Sequence, residues 1–282
     1  MRNKLLKQNA RNTGAKTNGF VDEKKISAAS MIIAFLALIL SQFKPIYQYF
    51  ESAEIELKLA SHIQIGQSLG NLILMPFFQI KNSGSSHGYV RDIGFYIENT
   101  DLPNIQKKIP VQQYYLKPTT ISAGQIPTRL PMGDISVATG EGWEAYIEIF
   151  DQPSPLILQE FSVIQAAVAT ELLPKNKTKI SDELYGKISS IVSRNMSWFK
   201  EGKYRVLFVL REDPNDKPII KQAYSFTVTT QDIELLNEVT NRFRYGEFIV
   251  NPPKTQNGFF SRLSLIHDSK DIDELYRRYL EL

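Results

Sequence analysis

Lys203–Arg211 (KYRVLFVLR) and Ile220–Thr229 (IKQAYSFTVT), joined through Asp213–Pro218 (DPNDKP), decide the fold. Both runs are rich in β-branched and aromatic residues, and the Pro, Asp and Asn between them are turn formers, so the pair predicts adjacent strands. Outward from this pair, Trp143–Phe150 (WEAYIEIF) alternates, with Trp143, Ala145, Ile147 and Ile149 on one face and Glu144 and Glu148 on the other. Glu54–Leu59 alternates in the same way. Leu72–Lys81 (LILMPFFQIK), with Pro76 marking an edge or bulge, leads through the turn-rich Lys81–Gly88 to Tyr89–Glu98 (YVRDIGFYIE). These two runs predict a hairpin, with Gly94 as a bulge. Shorter strands are expected at Val111–Leu116 and Asp134–Val137, and one more at Leu156–Ile164. The reading is a mainly β protein, with an antiparallel β-sandwich over residues 54–230.

Helices interrupt and follow the strands. Ser181 is a good N-cap, and Leu184, Ile188, Ile191 and Val192 make one stripe, so a helical insertion is expected at 181–195. Residues 231–282 read as a C-terminal helical region. Leu235, Leu236, Val239 and Phe243 have helical spacing, with Gly246 as C-cap, and 251–258 is a linker. Lys270–Leu282, capped by Ser269, carries Ile272, Leu275, Tyr276, Tyr279 and Leu280 on one face. That stripe either packs back on the sandwich or faces a protein partner or a second copy. Opposite charges on the same helix, Asp271, Asp273 and Glu274 against Arg277 and Arg278, support it locally.

Ile26–Phe43 (ISAASMIIAFLALILSQF) holds eighteen residues without charge, Gly or Pro, just enough for a helix to span a hydrocarbon core of about 30 Å. A single transmembrane helix is expected there. Before it, residues 1–25 carry seven Lys or Arg against Asp22 and Glu23, a net +5 in a chain of net +3, leaving the remainder at −2. That asymmetry places the basic, disordered tail in the cytoplasm, 44–53 as a juxtamembrane linker and the C-terminal domain outside the cytoplasm. Tyr47, Tyr49 and Phe50 fall where an interfacial aromatic belt is expected. Nothing in the faintly acidic body suggests a nucleic-acid groove, which needs a basic face.

Phe78–Gly84 (FQIKNSG), followed by Val90 and Ile93, and Phe199–Val206 (FKEGKYRV), where a loop Gly precedes a Tyr-bearing strand, resemble patterns in membrane-tethered bacterial proteins with an immunoglobulin-like fold. The resemblance implies that fold and a binding role, and no active residue. The helix at 181–195 departs from the usual plan.

Little in the chain suggests chemistry. There is no cysteine, which excludes disulfides, thiol nucleophiles and Cys-ligated metals and is compatible with either side of a membrane. Three histidines, His62, His87 and His267, lack metal-ligand spacing. Glu212, Asp213 and Asp216 do not follow the order of a calcium loop. Gly84–Gly88 (GSSHG) matches G-x-S-x-G, but a β-rich run follows it where a hydrolase elbow needs a helix. Trp143 and Trp198 read as core residues. No catalytic residue, metal or cofactor is expected. The expectation is a membrane-anchored binding or scaffolding protein, an accessory subunit of an envelope complex. The alternatives are a cytoplasm-facing tethered sensor or defence component, and an envelope serine hydrolase using Ser86.

Overall fold

A computed structural model describes residues 30–38, 52–116, 129–151, 153–173, 177–251 and 257–282. The chain divides into two units, Met1–Glu51 and Ser52–Leu282. In the first, residues 30–38 are helical. The basic tail 1–25, the aromatic belt, nearly all of the 44–53 linker and the rest of the 26–43 span lie outside the described residues. Among the described residues, no helix is long and apolar enough to cross a membrane.

The second unit is mainly β. Its strands are β1 (Ile55–Ser68), β2 (Asn71–Asn82), β3 (Gly88–Val90), β4 (Asp92–Asn99), β5 (Gln106–Leu116), β6 (Arg129–Pro131), β7 (Ile135–Val137), β8 (Gly142–Phe150), β9 (Gly202–Arg211), β10 (Ile220–Val228), β11 (Phe259–Arg262) and β12 (Ser264–Ile266). Ten of them form one antiparallel sheet, ordered β11-β1-β2-β8-β5-β4-β9-β10-β12, with β6 on β5; β3 and β7 pair separately. The sheet curls until its halves face each other across one core, where Phe78 of β2 meets Phe208 of β9 edge-on at 5.1 Å.

The closing piece is a single extended run. β11 pairs with β1 and β12 with β10, the two ends of the strand order, and only Leu263 lies between them. Leu263 N–H donates to Ser61 O at 2.8 Å, and the Ser261 hydroxyl to Thr227 O at 2.9 Å. The sheet is thereby nearly a barrel, and its two open edges are paired, which removes the template that a bare strand edge offers to other chains. These strands arise within the region read as helical.

The expected hairpin of 72–81 with 89–98 does not form. β2 lies between β1 and β8, whereas β4 lies between β5 and β9. The reason is visible at Asn82, which is fully buried. Its carbonyl accepts Glu54 N–H (3.2 Å) and Gly84 N–H (3.0 Å), and its amide donates to Ser86 O (2.7 Å) and Val137 O (3.0 Å), which turns the chain away from β2. Pro76 sits in an interior strand, opposite a register shift of β1 between Leu59 and Ile63, where the ladder has no need of its missing N–H. Gly94 makes no bulge; it pairs regularly with Pro110 and Val209.

Among the described residues, four α-helices complete the unit: α1 (Pro155–Leu172), α2 (Asp182–Met196), α3 (Thr230–Arg242) and α4 (Ser269–Glu281). The strand expected at Leu156–Ile164 is the first half of α1. Ser154 caps it, Pro155 occupies the first turn, and Ile157, Phe161, Ile164 and Val168 turn one face inward at helical spacing. α2 starts at the Ser181 cap, and its stripe Leu184, Ile188, Ile191 and Val192 is buried. It packs over the β1–β2 turn, where Leu69 (φ 48°) and Gly70 (φ 83°) both take the left-handed conformation. A Cβ on Gly70 would come within 2.7 Å of Val192 Cα, so this turn is shaped to the helix above it. α3 carries a full capping box at Thr229 and Asp232 and passes through a single 3₁₀ turn to Gly246, left-handed as its terminating residue. Buried Gln67 donates to Leu236 O at 2.9 Å and to the Thr240 hydroxyl at 2.7 Å, tying α3 to β1.

Candidate functional site

The stripe on α4 is placed first. Leu275 is fully buried and Tyr279 nearly so, in a cluster with Tyr96, Leu207, Val209 and Ala223 on the outer face of β4, β9 and β10. Ile272 and Tyr276 are half-buried against the same cluster, and only Leu280, 58% exposed, points away. The stripe that could have faced a partner therefore covers the protein's own sheet. Gly94 explains the close fit, since a Cβ there would stand 2.4 Å from the Tyr279 hydroxyl. Leu275→Ala is expected to cost about 2–5 kcal/mol, because a fully packed methyl pair leaves a cavity. Leu280→Ala should stay within about 0.5 kcal/mol. Urea unfolding of both variants checks the contrast; equal losses would contradict this placement.

Around that apolar seam lies a cluster of charges that sequence spacing could not bring together. Glu98, at the end of β4 and 3% exposed, is its centre. Arg205, its cross-strand neighbour on β9, donates from Nε to Oε1 at 2.8 Å, and Arg278 of α4 donates to Oε2 at 2.9 Å. Tyr96 donates its hydroxyl proton to Oε2 at 2.8 Å and lies 3.0 Å from the Gln106 amide. Arg278 also pairs with Glu274 one turn earlier, the intrahelical pair legible in the sequence. Burial, reinforced by Glu98, pushes the Tyr96 phenol well above its ordinary range, so it remains a donor. A second link joins Arg211 to Asp92 at 2.6 Å and to the Tyr279 hydroxyl at 3.2 Å. Burial opposes the Arg211 charge, but these two bonds outweigh it and raise its pKa. Paired and fully hydrogen-bonded, the cluster fixes α4 in one position.

The other feature is a groove of about 1320 Å³ between α1 and α2. Leu156, Val163, Ile164 and Ile191 give it an apolar floor. Arg194 bridges to Glu160 across it at 2.6 Å, and Lys187 pairs with Glu183 at 2.8 Å along α2. The outward side of α1 carries no ionisable group. Its two glutamates are both engaged, Glu160 with Arg194 and Glu171 as acceptor from Ser181 N–H and hydroxyl at 2.6 and 2.7 Å. Leu156 and Val163 are meanwhile 77% and 64% exposed. A solvated surface helix normally alternates its exposed side with charge, and this one does not. Reading 156–164 as a strand concealed the surface; Ser154-Pro155, a cap followed by a first-turn proline, was the available signal.

The residues weighed for chemistry stay apart. Ser86 is in the loop entering β3, with no helix after it, and its carbonyl is held by Asn82. His62 lies on β1 beside Ser61, while His87 and His267 are exposed in separate loops. Glu148, read on the face opposite Trp143, is 3% exposed and paired with Arg129 at 3.2 Å, because β6 folds over it. Trp143 and Trp198 are half-buried against the main core. Among the described residues, no group of three or more His, Asp or Glu could hold a metal ion. No protein-family model and no curated protein sequence matches the chain.

Proposed function

We propose that this chain is a membrane-anchored binding or scaffolding protein. Residues 26–43 cross the bilayer once, 1–25 stay in the cytoplasm, and the β domain is displayed on the opposite side as an accessory subunit of an envelope complex. One observation carries the reading. Residues 30–38 are helical, and Met31, Ile32, Ile33, Phe35 and Leu36 are each at least 51% exposed. A helix apolar on all sides belongs inside lipid, and the sequence of 26–43 has eighteen uncharged residues, about the number a single span needs. The immunoglobulin-like kinship has its own support. The Tyr204 hydroxyl donates to Lys200 O at 2.7 Å and accepts Lys200 N–H at 3.0 Å, similar to the tyrosine corner of such sandwiches.

Alkaline carbonate washing of vesicles tests the anchor. The full chain is expected in the membrane pellet, and its appearance in the supernatant would sink the reading. Protease added to intact spheroplasts is expected to digest the β domain. A protected domain in a carbonate-resistant chain would instead favour the cytoplasm-facing sensor.

A further inference from the structure

We infer that the α1–α2 groove is the contact between two copies of this chain, related by a two-fold axis that runs between α2 and its copy, level with the stretch from Lys187 to Ser190. The inference does not depend on the membrane anchor. The surface has what a helix needs in order to approach closely. Its floor is apolar, and the α2 wall presents Gly186 and Ser190. Gly186 stands in a helix interior, where glycine weakens the helix, yet a Cβ there would meet nothing within 4 Å. Nothing among the described residues requires a glycine at this position.

Charge identifies the occupant. The groove carries Glu160 and Glu183 against Lys187 and Arg194, so it is neutral and offers no match to a partner of one sign. It does match itself. A two-fold axis pairs the same patch with itself, residue i against j and j against i. With α2 antiparallel to its copy about that axis, Glu183 lies opposite the partner's Arg194, and Arg194 opposite the partner's Glu183. Lys187 then faces the partner's Ser190, whose small side chain leaves room for it. Glu183 and Arg194 have 81% and 58% exposed side chains, so both are accessible to a second copy. Their present pairs are surface pairs of little intrinsic strength and can be re-formed across the axis.

The chain has no cysteine, so single-cysteine variants report one position each. Full-length Ser190→Cys and Asn215→Cys, the latter in the exposed β9–β10 turn, are treated in mild detergent with a short bis-maleimide, which joins two thiols. Ser190→Cys is expected to yield a species of twice the chain mass, and Asn215→Cys to remain single. Adding Glu183→Arg should lower cross-linking several-fold. Adding Arg194→Glu to that variant, with Glu160→Gln to remove its repulsion, should restore it. These exposed positions leave the circular dichroism spectrum unchanged, so loss of signal is not loss of fold. The inference is overturned if Ser190→Cys gives no doubled species, if Asn215→Cys gives as much, or if the product contains another protein. It is equally overturned if Glu183→Arg has no effect or the charge swap fails to restore the product.

Discussion

Replacing Gly258 with alanine is expected to open the barrel and lower the stability of the β domain by about 4 kcal/mol, among the larger single-site effects. Two costs combine. Gly258 has φ +82°, a conformation an L side chain adopts only with strain of about 1–3 kcal/mol. In addition, a Cβ there would stand 1.8 Å from Ile65 O and 2.7 Å from Gly66 Cα. Both obstacles are backbone atoms of β1, so no side-chain rotation relieves them. Residue 258 leads directly into β11, and moving it shifts the pairing of Phe259 with Ile65. Gly140→Ala is the matched control. Its φ is +75°, but nothing lies within 4 Å of the added carbon. It should lose only the conformational part, about 1–3 kcal/mol. Urea midpoints at constant slope measure both variants; equal losses would mean that strain alone, not closure, sets the requirement for glycine.

Glu98→Ala should cost about 3–5 kcal/mol, the range for removing one partner of a buried ion pair. The substitution leaves Arg205, with a 22% exposed side chain, without its carboxylate, and takes the acceptor from Tyr96 and from Arg278. Because Arg278 belongs to α4, that helix should loosen before the sheet does, and limited proteolysis should clip within 269–281 earlier than in the native chain. Arg205→Ala in the same chain should recover part of the loss, since it removes the orphaned charge. A Glu98→Ala variant as stable and protease-resistant as the native protein would show that the apolar seam alone holds α4.

Different parts of the fold were legible to different degrees, for physical reasons. β9 and β10 could be read because their composition and the intervening Asp-Pro-Asn-Asp run agree. α2 and α3 could be read because Ser181 and Gly246 mark their ends with local hydrogen bonding and local conformation. α1 could not be placed by periodicity. Leu156-Ile157-Leu158 is apolar at every position and so fits either period, and the cap before it was the only discriminating feature. Strand partners were hidden for another reason. β2 and β4 are close in sequence and both apolar, but pairing depends on which faces must be buried, and β4 is covered on its inner face by the core and on its outer face by α4. The same long-range dependence concealed the role of Glu98, which in sequence is the polar end of a strand. On α4 the stripe was legible, but what covers it was not, since Gly94 and Tyr96 lie far from it along the chain.

The run that pairs both ends of the strand order is also the last strand segment in the chain. Ribosomes deliver β1 at the start of the domain and its partner β11 some two hundred residues later, a separation that slows closure. Throughout that interval β1 presents a bare row of amides and carbonyls, and β10 does so from its own synthesis until β12 follows, both prone to capture by neighbouring nascent chains. Maturation of the domain therefore waits on residue 266, and it is during synthesis, before that residue emerges, that a chaperone has most to protect.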